Sequence, residues 1–414
     1  MLNKDGQREL AYVVYVDDIE PISGRDRVEC ARVGGWTCMV PKGAFKVGDP
    51  AIYFEIDSQV PLDNPVFAFC AKYKGHIKTQ KFKTPEGQFW SQGLLMAAAD
   101  FGWTIDRIEE LFITDNEMVP HTPGTESAFL TKKLGVTYYE VEDNKRKAPS
   151  VDKYKRMASR HPKIFAKPFV QKIYKTKVGK RVLYIFFGGK GKSNDWPAWV
   201  KKTDEERIEN LPWLLKDKEM KWYATEKIDG TSTTFTIKRG NFLAQPKFFV
   251  CSRNVVFNKP DKNCYYDTNV YLEMAKKYNI ESVLNKILFL DKSLGFVTIQ
   301  GETYGAGVQK RDYSQKGHDF AIFNVILGYH TGEVVRLNPE QMKEFMDQYN
   351  LPCVPILNKG NYILPDTIDE LREYVNSEGS KIDNKMREGI VFRSHDGKQS
   401  FKCVSPEYLI KYHG

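Results

Sequence analysis

The chain has 414 residues, 41 % of them hydrophobic, which is enough for two or three domains with real cores and too apolar for a disordered chain. No apolar run reaches the roughly 20 residues of a membrane span, and the opening "MLNKDGQRELAYVVYV" carries an acid and polar residues before a short apolar strand, so neither a membrane protein nor a signal peptide is expected. The net charge of +9 points to a polyanionic partner without requiring one. Seven scattered cysteines form no CxxC pair and the seven histidines cluster with nothing. That argues against structural zinc and against a disulfide framework, and for a reducing intracellular compartment, in a cellular or a virus-encoded protein alike.

Residues 1 to about 125 read as strand-rich. "ELAYVVYVDDIEPI", "DRVECARVGGWTCMVP" and "DPAIYFEIDSQVP" are short runs of Val, Tyr and Ile, punctuated at "GG" 34–35 and "KVGD" 46–49. Hairpin-sized strands in series fit a small barrel or a sandwich, and an OB-like β-barrel over residues 1–130 is expected.

Residues 131–202 read as a basic linker or insertion. Between Lys145 and Lys202 there are 18 Lys plus Arg against two acids, Asp152 and Asp195, a local charge of +16, so the rest of the chain sums to 9 − 16 = −7. Tyr154, Phe165, Phe169, Tyr174, Tyr184, Phe186 and Phe187 are interleaved with these charges. Lysines neutralise phosphates and aromatic rings stack bases, so nucleic-acid contact is expected, with Lys163, Lys167, Lys172, Lys175 and Lys177 facing the phosphates. The plainer alternative is a solvated linker with some buried aromatics.

Residues 203–414 mix strands and helices. "KTDEERIENLPWLL" reads as a short amphipathic helix. "KWYATEKIDG" and "STTFTIKRGNFLAQPKFFVCSRN" read as strands, the latter turning at "RGN" 239–241. "NVYLEMAKKYNI" has helical spacing, and "FVTIQGETYG" and "DFAIFNVILG" are strands. "NPEQMKEFMDQYNL" is a helix with Asn338 as N-cap and Pro339 at its first position, and "TIDELREYVNS" is another. "REGIVFRSHDGKQSFKCV" is a hairpin on a "DG" turn. The class is α+β.

One lysine in this half stands out. Lys227, in "WYATEKIDGTSTTF", follows an apolar approach and precedes Asp229 and Gly230. A lysine amine attacks only when neutral, which near neutral pH needs desolvation or a neighbouring cation. Taken alone it reads as an exposed strand lysine. Downstream, in order, stand "CSRN" (251–254), "GETYG" (301–305), "DFAIFNV" (319–325), "EGIVF" (388–392) and "SFKCV" (400–404). Arg253 can hold a phosphate, Glu302 and Glu388 a ribose or the waters of a metal, Phe320 or Phe323 can stack on a base, and Lys402 can stabilise an α-phosphate. Singly, each has a bland reading as a core ring, a turn residue or a surface charge; the ordered set is what overturns those readings.

The set "EKIDG … SRN … GETYG … FAIFNV … EGIVF … FKCV" resembles motifs I, Ia, III, IIIa, IV and V of the covalent nucleotidyltransferase superfamily of polynucleotide ligases and mRNA capping enzymes. "ATEKIDGTS", "KKTDEERIENLP" and "FKCVSPEYL" are most similar to ATP-dependent RNA ligases whose OB-like module precedes the catalytic domain, and "FKVGDPAIYFEIDSQVP" is similar to that module. The resemblance implies an OB-like β-barrel followed by a nucleotidyltransferase domain, ATP-grasp-like with antiparallel sheets plus helices, over residues 203–414. It implies that Lys227 attacks the α-phosphate of ATP to give lysyl-AMP, that AMP passes to an RNA 5′-phosphate, and that a 3′-hydroxyl then displaces AMP. Glu226, Asp229, Gly230, Arg253, Glu302, Phe320, Phe323, Glu388 and Lys402 would bind ATP or AMP, with Glu226 near the adenine. Asp229, Glu302 and Glu388 would hold Mg²⁺ or Mn²⁺, mostly through water. The implied partner is RNA, as nicked duplex or templated ends, met by a monomer in repair.

Two features depart from the pattern. Many relatives have Lys-x-Lys in motif V, where this chain has Val404 as the second member. Its role passes to Lys398 across the hairpin or is lost. The basic stretch also exceeds what the pattern needs, and is expected to grip RNA. Only residues 405–414 follow motif V, too few for the OB domain that DNA ligases and capping enzymes carry there, which favours an RNA ligase. A ligase with a DNA acceptor, a capping-type guanylyltransferase and a non-catalytic RNA-binding protein are the alternatives.

Overall fold

The structure, a computed structural model, describes residues 1–3, 7–104, 113–114, 117–118, 129–139, 162–165, 167–176, 179–183, 196–240, 244–253, 255–257 and 268–413. Two compact units divide the chain: Met1–Glu140, Lys202–Ser232 and Ile299–Gly414 form one, and Val141–Lys201 with Thr233–Thr298 the other.

The first unit opens with the barrel strands. Ala11–Tyr15 pairs antiparallel with Pro50–Phe54, Val13 opposite Ile52, and Leu94–Ala97 pairs on the other side of Pro50–Phe54. Successive residues of a strand point to opposite faces. Here both faces are buried: Ala11, Val13, Ile52 and Phe54 enter one core, and Tyr12, Val14, Ala51 and Tyr53 another. That explains why "AYVVY" and "AIYF" read as unbroken apolar runs rather than alternations. Asp18–Pro21, Val28–Val33 and Trp36–Pro41 form an antiparallel sheet, and Ser58–Gln59 pairs between His76–Ile77 and Thr137–Tyr138. A 3₁₀ helix, Pro65–Tyr73, is capped by the Asn64 side chain and brings Phe67 and Cys70 into the first core.

The rest of this unit is built on a five-stranded sheet in the order Glu206–Arg207, Ser400–Val404, Gly389–Ser394, Trp222–Lys227, Ile356–Tyr362. Trp222, Ala224, Ile390, Phe392 and Phe401 from its strands pack with Leu371 and Val375 of the helix Ile368–Asn376. That helix starts at a Thr367 capping box, and the helix Pro339–Asp347 starts at Asn338, whose side chain accepts from Gln341 N at 2.9 Å. Outside this sheet, Ile326–Gly328 of the strand His318–Tyr329 pairs with Val334–Arg336.

The expected amphipathic helix at 202–215 is absent. The segment instead forms the short parallel edge strand Glu206–Arg207 and two 3₁₀ turns, Ile208–Asn210 and Pro212–Lys216. Its polar residues are the reason. Glu206, Arg207, Glu209 and Asn210 are buried against the barrel and its neighbours, where they are hydrogen-bonded, so the segment has no solvent face to offer a helix.

In the second unit, Thr234–Lys238 pairs antiparallel with Lys247–Cys251, which pairs with Val256–Phe257. Thr236 Oγ1 lies 2.7 Å from Thr298 Oγ1 and 3.1 Å from Trp199 Nε1. The helix Val270–Lys277 has the expected spacing, and a further helix, Ile280–Leu290, follows it unanticipated. In the basic segment, Phe165 and Leu183 pack with Ile164, Val170, Ile173 and Tyr174. No helix among the described residues is long and apolar enough to cross a membrane.

Candidate active site

Lys227 is the last residue of the strand Trp222–Lys227. Trp222, Tyr223, Ala224, Thr225 and Glu226 are buried and hold the strand in the sheet, while the Lys227 side chain stays 26 % exposed. Its Nζ donates to Glu388 Oε1 at 2.6 Å. Glu388 immediately precedes Gly389, the cross-strand partner of Lys227, and so the pairing register brings the two side chains together.

The chain turns sharply after Lys227. A Cβ on Gly230 would stand 2.3 Å from the carbonyl oxygen of Thr303 and 2.9 Å from Glu302 Cγ, so only glycine allows the turn to press against the strand carrying Glu302. Asp229 is fixed at three points. Its N–H donates to the Tyr313 hydroxyl at 2.6 Å. Its Oδ2 accepts from the Tyr408 hydroxyl at 2.9 Å and meets His413 Nε2 at 3.0 Å. Tyr313 adopts φ +53°, unusual for a bulky residue, and the Arg311 guanidinium lies 4.1 Å from its ring centre. Arg311 also sits 5.6 Å from the Tyr408 ring and donates to Asp383 Oδ1 at 2.5 Å.

The electrostatics follow from this crowding. Burial pushes the Lys227 amine down, but Glu388, Glu302 and Asp229 outweigh it and hold its pKa above the ordinary lysine value. Burial raises the Glu388 carboxyl, against the pull of Lys227. Asp229 is held low: burial opposes this, and His413, Lys227 and Tyr408 overcome it. His413 is raised, since the bond to Asp229 and the charges of Asp229 and Glu388 exceed the cost of its own burial. Glu388 Oε2 is buried and has no hydrogen-bond partner among the described groups. That orphaned oxygen, near Asp229, suits a hard cation. No three His, Cys, Asp or Glu side chains among the described residues form a group that could hold a metal directly.

Other expected residues fall in different surroundings. Glu226 is buried with both oxygens engaged, accepting from the Ser380 hydroxyl and from Lys381 N at 2.8 Å, so it fixes the 380–381 loop. Phe320 is fully buried, with its ring where a Gly301 Cβ would be. Phe323 is half-buried. Glu302 is partly exposed. Arg253 is exposed in the second unit, at the turn between Lys247–Cys251 and Val256–Phe257. Lys402 is half-buried and donates to Asp204 Oδ1 at 2.9 Å.

Lys398 does not replace the missing motif V lysine. It is 81 % exposed at the hairpin turn and pairs with Asp396 at 3.5 Å, at the end opposite the Gly389–Val404 pair. Val404 occupies one rung with Gly389 and Lys227. Lys167, Lys172 and Lys175 are exposed on and around the helix Pro168–Tyr174. Lys163 lies in the helical turn Pro162–Phe165, and Lys177 lies outside the described residues.

Sequence reasoning missed Tyr313, Tyr408 and His413 around Asp229, and Asp204 and Arg207 beside Lys402. Tyr408 lies in "FKCVSPEYL", whose similarity was noted without a role for the tyrosine, and Asp204 and Arg207 lie in the segment expected to be a helix.

Two family patterns and several solved structures are similar to this chain. The RNA ligase family pattern matches residues 220–413, and that of an OB-fold domain matches residues 10–97. A structure of the Naegleria gruberi RNA ligase with pyrophosphate is similar at 26 % identity and TM-score 0.67, covering 98 % of this chain and 99 % of that one. A mutant of that ligase with ATP and manganese is similar at 27 % identity and TM-score 0.66, covering 98 % of each chain. A mutant with AMP and manganese matches at 26 % identity and TM-score 0.66, with 98 % and 99 % covered.

Proposed function

We propose that this chain, which carries an RNA ligase domain behind an OB-fold domain, is an ATP-dependent enzyme that seals 3′-hydroxyl/5′-phosphate RNA breaks through lysyl-AMP. The observation that carries the proposal is Lys227 in contact with Glu388 at 2.6 Å, at a strand end ringed by Asp229 and Glu302. The Naegleria ligase structures with ATP and manganese support the choice of nucleotide and metal.

Lys227 must first lose the proton that its carboxylate neighbours stabilise. A divalent cation, Mg²⁺ or Mn²⁺, would be held by Glu388 with Asp229 and Glu302, largely through water. Bound there it supplies positive charge that lowers the pKa of Lys227 and stabilises the α-phosphate. Glu388 Oε1 is the near acceptor of the Lys227 proton. The neutral Nζ then attacks the α-phosphorus of ATP: the N–P bond forms, the bond to the bridging oxygen breaks, and pyrophosphate leaves. Lys402 presents positive charge to the α-phosphate, and the half-buried Phe323 stacks on the adenine in preference to the fully buried Phe320. Arg253 contacts phosphate or ribose. Next, the RNA 5′-phosphate oxygen attacks the adenylate and frees Lys227. Finally the 3′-hydroxyl attacks the activated 5′-phosphate, forms the phosphodiester and releases AMP.

The division we assign is a barrel over 1–130, a basic insertion over 131–202 that grips RNA, and a catalytic domain over 203–414. Nicked duplex RNA is the assigned substrate and a monomer the working form. Six described cysteines are free thiols, which supports a reducing compartment.

The test is covalent labelling. Wild-type protein incubated with a divalent metal and ATP labelled at the α-phosphate takes up label that pyrophosphate strips; Lys227→Ala stays blank, and GTP gives none. A wild-type protein that takes no label from any nucleotide, after pyrophosphate has removed bound AMP, sinks the proposal.

A further inference from the structure

Asp204 sits just before the edge strand Glu206–Arg207 and joins two cations. Its Oδ1 accepts from Lys402 Nζ at 2.9 Å and from Arg8 Nη2 at 3.3 Å, and its Oδ2 accepts from Arg8 Nε at 3.2 Å. Arg8 continues into the barrel, donating through Nη1 to Glu55 Oε2 at 3.0 Å. Glu55 Oε1 accepts from the Tyr12 hydroxyl at 3.0 Å and from Asn210 Nδ2 at 2.8 Å, and Trp36 Nε1 donates to Asn210 Oδ1 at 2.7 Å. The side chains of Arg8, Asp204 and Lys402 are no more than 13 % exposed. A water-shielded line of charge therefore runs from the barrel core to Lys402.

We propose that Asp204 is a positioning residue for adenylyl transfer: anchored by Arg8 of the barrel, it aims the Lys402 amine and makes the phosphate contact depend on the docked barrel. The inference rests on the reading of Lys402 as an α-phosphate contact. An ammonium has three N–H donors, and Asp204 occupies one, so two stay available for phosphate oxygens. Asp204 also keeps the amine charged. Arg8 faces Lys402 from the barrel, Arg207 from the parallel neighbour strand and Lys227 from the strand beyond the hairpin. Burial and these three cations push Lys402 down to about 8, and Asp204 opposes them. Glu55 and Glu206 stand one step further off, on Arg8.

The experiment measures label uptake from ATP labelled at the α-phosphate, on the full chain, from about pH 6 to about pH 10, with a thermal melt of each variant. Loss of the Lys402 proton sets the alkaline limb in the wild type. Asp204→Asn removes the opposing charge, so the limb moves about 1 to 2 pH units towards acid. Asp204→Glu, which restores the charge, moves it back. A purely structural role would instead lower label equally at every pH and leave the limb in place, and that result overturns the inference. If Asp204→Asn does not fold, Lys402→Arg decides: a guanidinium stays charged throughout, so the alkaline limb disappears, and its persistence overturns the inference. No label on the wild type removes the ligase reading and this inference together; label with an unshifted limb removes this inference alone.

Discussion

Tyr408 donates its hydroxyl to Asp229 Oδ2 at 2.9 Å across 179 residues of sequence. With His413 on the same oxygen, the segment after the last strand clamps the turn that follows Lys227. Asp229 cannot leave its position without breaking both bonds and a third to Tyr313. Tyr408→Phe with His413→Gln therefore lowers the rate of lysine labelling by at least tenfold, since a hydrogen bond to a charged group contributes about 1.5 to 3 kcal/mol. Single-turnover labelling checks this; an unchanged rate in the double variant counts against the clamp.

The clamp also has a pH window. His413 has a raised folded pKa, so its contribution is complete below the ordinary value of 6.5 and is lost as pH rises through the raised one. Asp229 has a lowered folded pKa, so its contribution is present above the ordinary 3.8 and is lost as pH falls through the lowered one. Thermal melts of the wild type minus those of His413→Gln should show the largest difference between about pH 4 and pH 6.5, shrinking on the alkaline side. A difference that grows with alkali contradicts the assignment.

Glu55 is buried, and burial alone would raise its carboxyl. The Met1 ammonium, Arg8 and Asn210 overcome that and hold it at about 2. The sign is that of a depressed acid: the stabilisation is present above about 4.5 and is lost as pH falls towards 2. Glu55→Gln leaves Arg8 with less compensation and costs about 3 kcal/mol, the lower end for breaking a buried pair. Urea titration at neutral pH measures the loss, and the variant should also be less sensitive to acid.

Gly230→Ala places a methyl 2.3 Å from the Thr303 carbonyl oxygen. Neither backbone has room to move freely, so the expected cost is about 1 to 3 kcal/mol, with lysine labelling nearly abolished because the turn carries Lys227 and Asp229 with it. Circular dichroism melts and labelling together test this; full activity at wild-type stability would show that the turn relaxes.

The lysines of the basic segment predict a split between steps. Lys163→Ala, Lys167→Ala, Lys172→Ala and Lys175→Ala combined should weaken sealing of nicked RNA and flatten its salt dependence, since each phosphate contact adds to the slope. Self-labelling needs no RNA and should be unchanged. Equal loss of both steps points to a structural role.

Much of this molecule was legible in the sequence where local rules govern. Asn338 with Pro339, the helix in "TIDELREYVNS", and the "DG" hairpin at 396–397 each depend on residues close in sequence, and each forms where expected. Lys227 and Glu388 were singled out as motif residues, and cross-strand pairing with Gly389 brings them together. What escaped is long-range. Glu206 and Asn210 look like the polar face of a helix until the barrel buries them. Tyr408 and His413 follow the last motif, and nothing in their local sequence says that they fold back onto Asp229.

The edge strand Glu206–Arg207 runs parallel to Ser400–Val404, and that hairpin separates it from Trp222–Lys227. Consider the chain emerging from a ribosome. When residue 227 has left the tunnel, the two strands destined to lie between its own strand and the edge are still about 160 residues behind it in the chain. The barrel has its own local pairings and can form early, but Asp204 and Asn210 must wait against it while their sheet has no middle. Parallel pairing over such a separation is slow to close. The interval between the barrel folding and the last hairpin arriving is therefore when this protein is most exposed to aggregation and to chaperones, and slowing translation within residues 230–390 should prolong it.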